Sequence, residues 1–285
     1  MKNKLEIKRY QDWCANDGAL AYFRRALRDA AVSCLSIPRR VNREKAEIRF
    51  VYYHHIFNDE RKGFDRQLHY LRNFGEFISH DFAVDLITKN TPIDGRYIAI
   101  SFDDGFKCCF ENALPVLLDH NASAMFYVVT DLIGKSISLG EPIYAKTFGA
   151  RGAGSTLSFL SWDNCKKMVT AGMEIGSHTR THPRLISLSE FNAKEEMRAS
   201  KLEIEKRLSI PCQHFCAPFG RPGVDFNSER DPKLAASIGY KSFASGFRGN
   251  ITSLTNSNFL NRDQLIANWG NQQIRYFLGS TELWI

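Results

Sequence analysis

The feature that most limits what this 285-residue chain can fold into is an alternation that recurs about seven times: a short β-branched or aromatic stretch, then an amphipathic one. Strand followed by helix, over and over, brings each strand back parallel to the last, because the intervening helix carries the chain home across one face of the sheet. The expected architecture is therefore α/β, as a (β/α) barrel or a doubly wound sheet. Strands are expected over 48–53, 77–79, 97–102, 124–129, 173–176, 213–217, 240–244 and 258–261. Helices are expected over 64–74, 82–87, 108–118, 161–172, 189–208 and 271–278. The segment 124–129 has no polar face, as a strand covered on both sides requires. Only 134–157 breaks the rhythm; it is rich in Gly and Ser, includes the glycine-rich run 149–154, and reads as an insertion or a lid.

In such folds ligands collect at the C-terminal ends of strands, and the unusual polar residues fall there. Ile98-Ala99-Ile100-Ser101-Phe102 runs into Asp103-Asp104-Gly105, so an apolar strand delivers two adjacent carboxylates into a glycine turn. Alternation along the strand points the two apart, which suits one to a metal and the other to a proton. An isolated Asp-Asp-Gly is also ordinary turn chemistry. Further on, Glu174-Ile175-Gly176-Ser177 leads into His178-Thr179-Arg180-Thr181-His182. Two histidines four apart share a face if helical and can converge if in a loop, so either way they suit one metal. Two nitrogens and one carboxylate oxygen leave coordination positions open, the mark of a catalytic rather than a structural site.

Composition separates the chain into two unequal parts. Eleven Lys and Arg against five Asp and Glu lie in residues 1–46, so nearly all of the net charge of +7 is N-terminal. The division expected is a basic helical extension, 1–46, followed by one barrel domain, 47–285. Because the remainder is close to neutral, the overall basic field of a nucleic-acid binder is absent. Within the extension, Leu20, Phe23, Leu27, Ala31 and Leu35 recur at helical spacing among Arg24, Arg25 and Arg28. That basic amphipathic helix, 18–35, reads either as a helix packed on the domain or as an interfacial one held at an anionic membrane. Seven irregularly spaced cysteines and a charged start, Met1-Lys2-Asn3-Lys4, lead to the expectation of reduced thiols and a cytoplasmic location, peripheral to the inner face of the membrane if the helix is interfacial. No apolar run approaches the length of a membrane span.

Three segments together resemble, in order and spacing, the first motifs of the polysaccharide deacetylase family, also called NodB-homology or carbohydrate esterase family 4. They are Ser101-Phe102-Asp103-Asp104-Gly105, Ser177-His178-Thr179-Arg180-Thr181-His182-Pro183, and Phe215-Cys216-Ala217-Pro218-Phe219-Gly220. The resemblance extends over about 48–265. It implies a deformed (β/α) barrel of about seven parallel strands and a hydrolase that acts on the carbon–nitrogen bond of an N-acyl amino sugar, releasing acetate or formate. It assigns Asp104, His178 and His182 to Zn2+ or another divalent ion such as Co2+, Ni2+ or Fe2+. Asp103 becomes the general base toward water, and the backbone N–H of Phe219 the oxyanion donor.

The chain departs from the family pattern at three places. Ser101 replaces the usual Thr. Cys216 stands where many members carry the Arg that orients the base. The usual Leu-x-His motif, whose His protonates the leaving amine, is missing, since no histidine follows His214. The acid must then come from elsewhere, and His54 or His55 is the candidate, because the strand 48–53 ends at the same mouth of the barrel. Arg262 falls near the missing motif; it cannot be an acid, and is expected to bind an oxyanion or phosphate of the substrate. Cys212 and Cys216 flank His214, but no further ligand pair completes a second zinc site there. Two functions remain open: a metal-dependent deacetylase acting on a lipid-linked or nucleotide-linked sugar, or a catalytically weak or inactive carbohydrate-binding protein of the same fold.

Overall fold

The computed structural model of the chain describes residues 5–14, 18–40, 46–89, 91–148, 155–251 and 260–279. Two N-terminal helices, α1 (Tyr10–Trp13) and α2 (Ala19–Leu35), precede the first strand, β1 (Glu47–Tyr53). Then come α3 (Arg61–Leu71), β2 (Glu76–Ile78), α4 (His80–Thr88), β3 (Arg96–Phe102), α5 (Leu114–Asp119) and β4 (Ala124–Val128). The interrupting segment holds β5 (Ser136–Ser138), α6 (Pro142–Phe148) and β6 (Thr156–Ser158). The alternation resumes with α7 (Trp162–Thr170), β7 (Glu174–Ser177), α8 (Glu190–Leu208), β8 (His214–Cys216), α9 (Asp231–Ser237), β9 (Ser242–Ala244), β10 (Asp263–Gln264) and α10 (Asn271–Leu278).

The main sheet runs β10-β1-β3-β4-β7-β8-β9, every pairing parallel. β2 pairs with the first half of the β3 edge and β4 with the second half. Leu260 bridges to Ala244 at the far edge while Asp263 and Gln264 pair with Val51 and Tyr52, so one short stretch touches both ends of the sheet and curls it into a deformed barrel. The period-two alternation sorts the core into two layers. Ile98, Ile100, Phe102, Phe126, Phe215 and Phe243 pack outward against the helices. Phe50, Ala99, Met125, Tyr127, Cys216 and Ala244 form a smaller inner cluster, joined by Ala83, Val84 and Ile87 of α4. Ala99, Cys216 and Ala244 keep part of the inner layer small enough for Phe50, Met125 and Tyr127 to fill a tightly curled sheet. Helix α4 is fixed at the strands' N-terminal ends, where the Glu174 carboxylate accepts the backbone N–H groups of His80 and Asp81 at 2.7 and 2.8 Å.

Several elements differ from the sequence expectation. The last strand lies at Asp263–Gln264 rather than 258–261, of which 258–259 lie outside the described residues. Its two polar residues pair through backbone alone and carry no apolar signal. The helix expected over 108–118 starts as a π-helical turn, Cys109–Ala113, before α5. Within 134–157, β5 and β6 form an antiparallel pair with α6 between them, while the run 149–154 lies outside the described residues. The N-terminal stretch packs on the barrel: Ile7 is buried, and its N–H donates to Thr156 O at 3.0 Å.

Candidate metal centre

Each functional side chain is set by a strand end and then redirected by a backbone turn. Ser101 and Asp103 follow the inward parity of Ala99, and the Asp103 N–H donates to Tyr53 O at 2.9 Å, the last tie of β3 to β1. Asp104 and Gly105 then both adopt left-handed backbone, φ 71° and 75°, which swings the second carboxylate away from the first. A Cβ on Gly105 would sit 3.2 Å from Val128 Cγ1, so this turn needs glycine for space as well as for φ. After β7, Thr179 and His182 are left-handed too (φ 67° and 65°), and the His182 N–H donates to Thr179 Oγ1 at 3.0 Å. After β8, Phe219 has φ 62°. Of the six non-glycine residues with positive φ among the described residues, these four surround one point. Strain gathered at one place is held there by the rest of the fold and marks a working site.

Asp104 Oδ1 lies 3.1 Å from His182 Nε2 and 3.4 Å from His178 Nε2, all three side chains being buried. His178 Nδ1 donates to Cys216 O at 2.9 Å, which leaves its Nε2 as a lone pair aimed at Asp104. Both ring nitrogens of His182 are buried without a hydrogen-bond partner. Three acceptor atoms thus converge with nothing between them to share. Ligands at roughly 2.0–2.1 Å from a tetrahedral ion stand about 3.3 Å apart, the separation seen here. The residues therefore fit the divalent ion that the motifs imply, and two imidazoles with one carboxylate suit Zn, Co, Ni or Fe.

Asp103 points elsewhere. Its carboxylate takes Arg262 Nη1 at 2.8 Å and Nη2 at 2.7 Å, a bidentate pair with both side chains at or below 5% exposure. Burial alone would raise the Asp103 carboxyl; the Arg262 guanidinium outweighs it and holds the group below the usual carboxylate range, hence ionised and ready to take a proton. The expectation that Arg262 binds substrate is corrected by its own contacts. Its remaining N–H groups go to Ser245 O (2.8 Å), Ser101 Oγ (3.1 Å) and Cys216 Sγ (2.9 Å), so all five donors are taken. Arg262 fixes the direction of the Asp103 carboxylate, so a guanidinium that many family members carry at the position of Cys216 reaches this carboxylate across the barrel from 262. Burial pushes the Cys216 thiol up, so it meets the guanidinium as a neutral group. Ser101, the first of the three departures from the family pattern, belongs to this same network.

Both histidines after β1 line the cavity, but their partners differ. His54 has Gln264 Nε2 3.4 Å from its Nδ1. Burial lowers its pKa, and the nearby Asp104 and Asp103 charges oppose that. His55 turns to Glu60 (Nδ1···Oε2 3.0 Å) and stacks on Phe57 at 4.3 Å, with the Trp13 ring 5.6 Å away. The third set, Cys212, His214 and Cys216, does not converge. His214 is tied to Ser242 Oγ (2.8 Å) and Asp81 (3.2 Å), while Cys216 faces Arg262.

All of this opens into a cavity of about 470 Å³ whose floor is Asp103, Asp104, His178 and His182. Phe219 and Arg221 contribute from the loop after β8, and Phe148 from α6. Phe148 and Phe219 flank the His182 ring at 5.6 and 4.8 Å between centroids. The Phe219 N–H has no protein acceptor among the described residues. The next residue is locked: Gly220, at φ 77°, would place a Cβ 2.3 Å from Gly246 N. Tyr10 and Trp13 of α1 also line the cavity, a contribution from the N-terminal stretch that the sequence reading did not foresee.

Comparison with known proteins adds the following. Residues 90–243 match the family model described as polysaccharide deacetylase. YxkH of Bacillus subtilis (strain 168), whose name assigns it provisionally to the polysaccharide deacetylases, is 23% identical over 202 residues, 69% of this chain. The match spans 63% of that relative's length, less than two thirds. Among solved structures, the Streptococcus pyogenes deacetylase PplD in complex with acetate is similar at a TM-score of 0.65 and 23% identity, covering 81% of this chain and 98% of that one. IcaB from Ammonifex degensii is similar at 0.68 and 20%, covering 82% and 98%. At these identities the solved structures bear on the fold, and the fold is the deformed barrel expected.

Proposed function

The chain belongs to the polysaccharide deacetylase family, and on that premise we propose that it is a metal-dependent hydrolase removing an N-acyl group, N-acetyl foremost, from an amino sugar. One observation carries the reading: Asp104, His178 and His182 present three unshared lone pairs at ion spacing, while the adjacent Asp103 is kept ionised by a partner with no donor to spare. A divalent ion held by the first three would acidify a water and polarise the acyl carbonyl. Asp103 would serve as the base toward the attacking water, and Arg262 fixes the direction in which its oxygens point. The Phe219 N–H donates to the oxyanion of the tetrahedral intermediate, preorganised by Pro218 and Gly220 on either side. His54, whose protonated form burial disfavours but the neighbouring Asp104 and Asp103 charges favour, would receive the proton that Asp103 took from the water and pass it to the departing nitrogen, standing in for the family's missing terminal histidine. The products are a free amine and acetate. Lipid-linked or nucleotide-linked amino sugars are the proposed substrate class, on the strength of the basic amphipathic helix 18–35; the cavity of about 470 Å³ has room for a sugar ring.

The test is acetate release from N-acetylated glucosamine oligomers and from nucleotide- and lipid-linked N-acetylhexosamines, with metal-stripped protein and after Zn2+ is restored. Release that needs Zn2+ and is abolished by Asp103→Asn is the result expected. Sugar binding without release, unchanged by Asp103→Asn in fully metallated protein, would instead identify a carbohydrate-binding protein of the same fold.

A further inference from the structure

Helix α2 is amphipathic in the wrong direction for a helix packed on its own domain. Taken at 100° per residue, Leu20, Phe23, Leu27 and Leu35 form one stripe, and all four side chains stand out in solvent at 62%, 59%, 55% and 55% exposure. The face that meets the protein is the opposite one: Asp29, Val32 and Ser33 are half-buried and Ser36 fully so. Ser36 Oγ accepts from Arg275 Nη2 of α10 at 3.2 Å, and just beyond it Arg39 lies over the Tyr276 ring at 4.5 Å. The helix is thus pinned by polar contacts and offers its apolar side outward, with Ile37 continuing the exposed surface at 72%.

The charge around the stripe narrows what could cover it. Arg24 stands within it and Arg28 on its border, both exposed; the one acidic residue of the helix, Asp29, is on the face toward the domain and pairs with Arg28 at 3.1 Å, which leaves Arg24 as the unpaired positive charge of the stripe among the described side chains. A second copy of the chain would bring one basic rim against another. No described helix is long and apolar enough to cross a membrane, so α2 could lie on a bilayer but not span it. We propose that α2 seats this chain on an anionic lipid bilayer, with Leu20, Phe23, Leu27 and Leu35 in the headgroup–acyl boundary and the arginines among the lipid phosphates. The anchor is close to the reaction. Trp13 walls the catalytic cavity and Ala19 begins α2 six residues later, which at full extension spans about 20 Å. Binding to the bilayer is independent of the deacetylation reading; a membrane-borne substrate would join the two.

Vesicle flotation of the full chain tests the proposal, using phosphatidylcholine alone and phosphatidylcholine mixed with phosphatidylglycerol. Wild-type protein should float with the mixed vesicles and stay behind with the neutral ones. Replacing Leu20, Phe23 and Leu27 together by Ser should abolish flotation, and Arg24→Glu with Arg28→Glu should lower the bound fraction on the order of tenfold or more. Thermal melting within a few degrees of wild type shows that the variants are folded, and unchanged hydrolysis of a soluble substrate shows that the cavity is intact. Equal flotation with both vesicles, flotation with neither, or a Ser triple variant that still floats would overturn the proposal. So would a wild-type dimer in sedimentation equilibrium that the Ser triple variant turns into monomer, since a second copy would then be the occupant.

Discussion

Arg262→Met is the most informative single change in this protein, because it separates holding the base from being the base. The wild-type pair is bidentate, at 2.8 and 2.7 Å, with side-chain exposures of 1% and 5%. Removing one partner of such a pair leaves a charge that neither water nor protein compensates, at a cost of about 3–5 kcal/mol. For a chain of this size that lowers the melting temperature on the order of 10 °C. Removing both partners, with Asp103→Asn added, should recover most of the loss, because no isolated charge remains. The catalytic consequence has a fixed sign. Burial raises the Asp103 carboxyl and Arg262 lowers it, so without the guanidinium the pKa rises and the base is protonated over more of the pH range. The acid limb of kcat/KM must therefore move to higher pH, while bound metal, which Asp103 does not ligate, stays at wild-type content. A further variant tests the geometry: Cys216→Arg with Arg262→Ala places a guanidinium where the family usually has it. Arg262 Nη2 already lies 2.9 Å from Cys216 Sγ, so an Arg at 216 can reach the same carboxylate. Partial return of the wild-type pH profile is expected. Thermal unfolding and acetate release across pH decide the matter: a stability within about 1 kcal/mol of wild type, together with an unmoved acid limb, would refute the reasoning.

Other variants address the remaining roles. Asp104→Asn, His178→Ala and His182→Ala should each reduce zinc to below about a tenth of an equivalent per chain by elemental analysis, whereas Asp103→Asn should keep wild-type zinc. His54→Gln should lower kcat by about 10²–10⁴ with little change in KM, while His55→Gln, which loosens a packed ring beside Glu60, should affect stability more than kcat; the reverse pattern would move the acid role to His55. Gly220→Ala drives a Cβ to 2.3 Å from Gly246 N, and displacement of the loop carrying the Phe219 N–H should cost about 10²–10³ in kcat with metal content unchanged.

What the sequence made legible was whatever depends on near neighbours in the chain. The apolar run into Asp103-Asp104-Gly105 named its own strand end, and the four-residue spacing of His178 and His182 anticipated that the two imidazoles converge, as they do on Asp104. Whether that pair sat on a helix or a loop stayed open, because left-handed backbone at Thr179 and His182 has no signature in residues other than glycine. Arg262 was misread because its partners, Ser101, Asp103, Cys216 and Ser245, meet it only through barrel closure by a stretch just two paired residues long. Loss of an Arg at 216 and its presence at 262 are two halves of one fact, and nothing local joins positions 46 residues apart. Helix α2 shows the complementary limit. Periodicity located its apolar face correctly, but a stripe in sequence says only that something covers it, and the usual assumption that the domain itself is the cover reverses the orientation found here. In both cases the missing information is the identity of the partner across space. That is why Asp104, His178 and His182 could be grouped from the chain alone, why Arg262 could not be joined to Asp103, and why helix 18–35 was left with two readings, packed on the domain or held at a membrane.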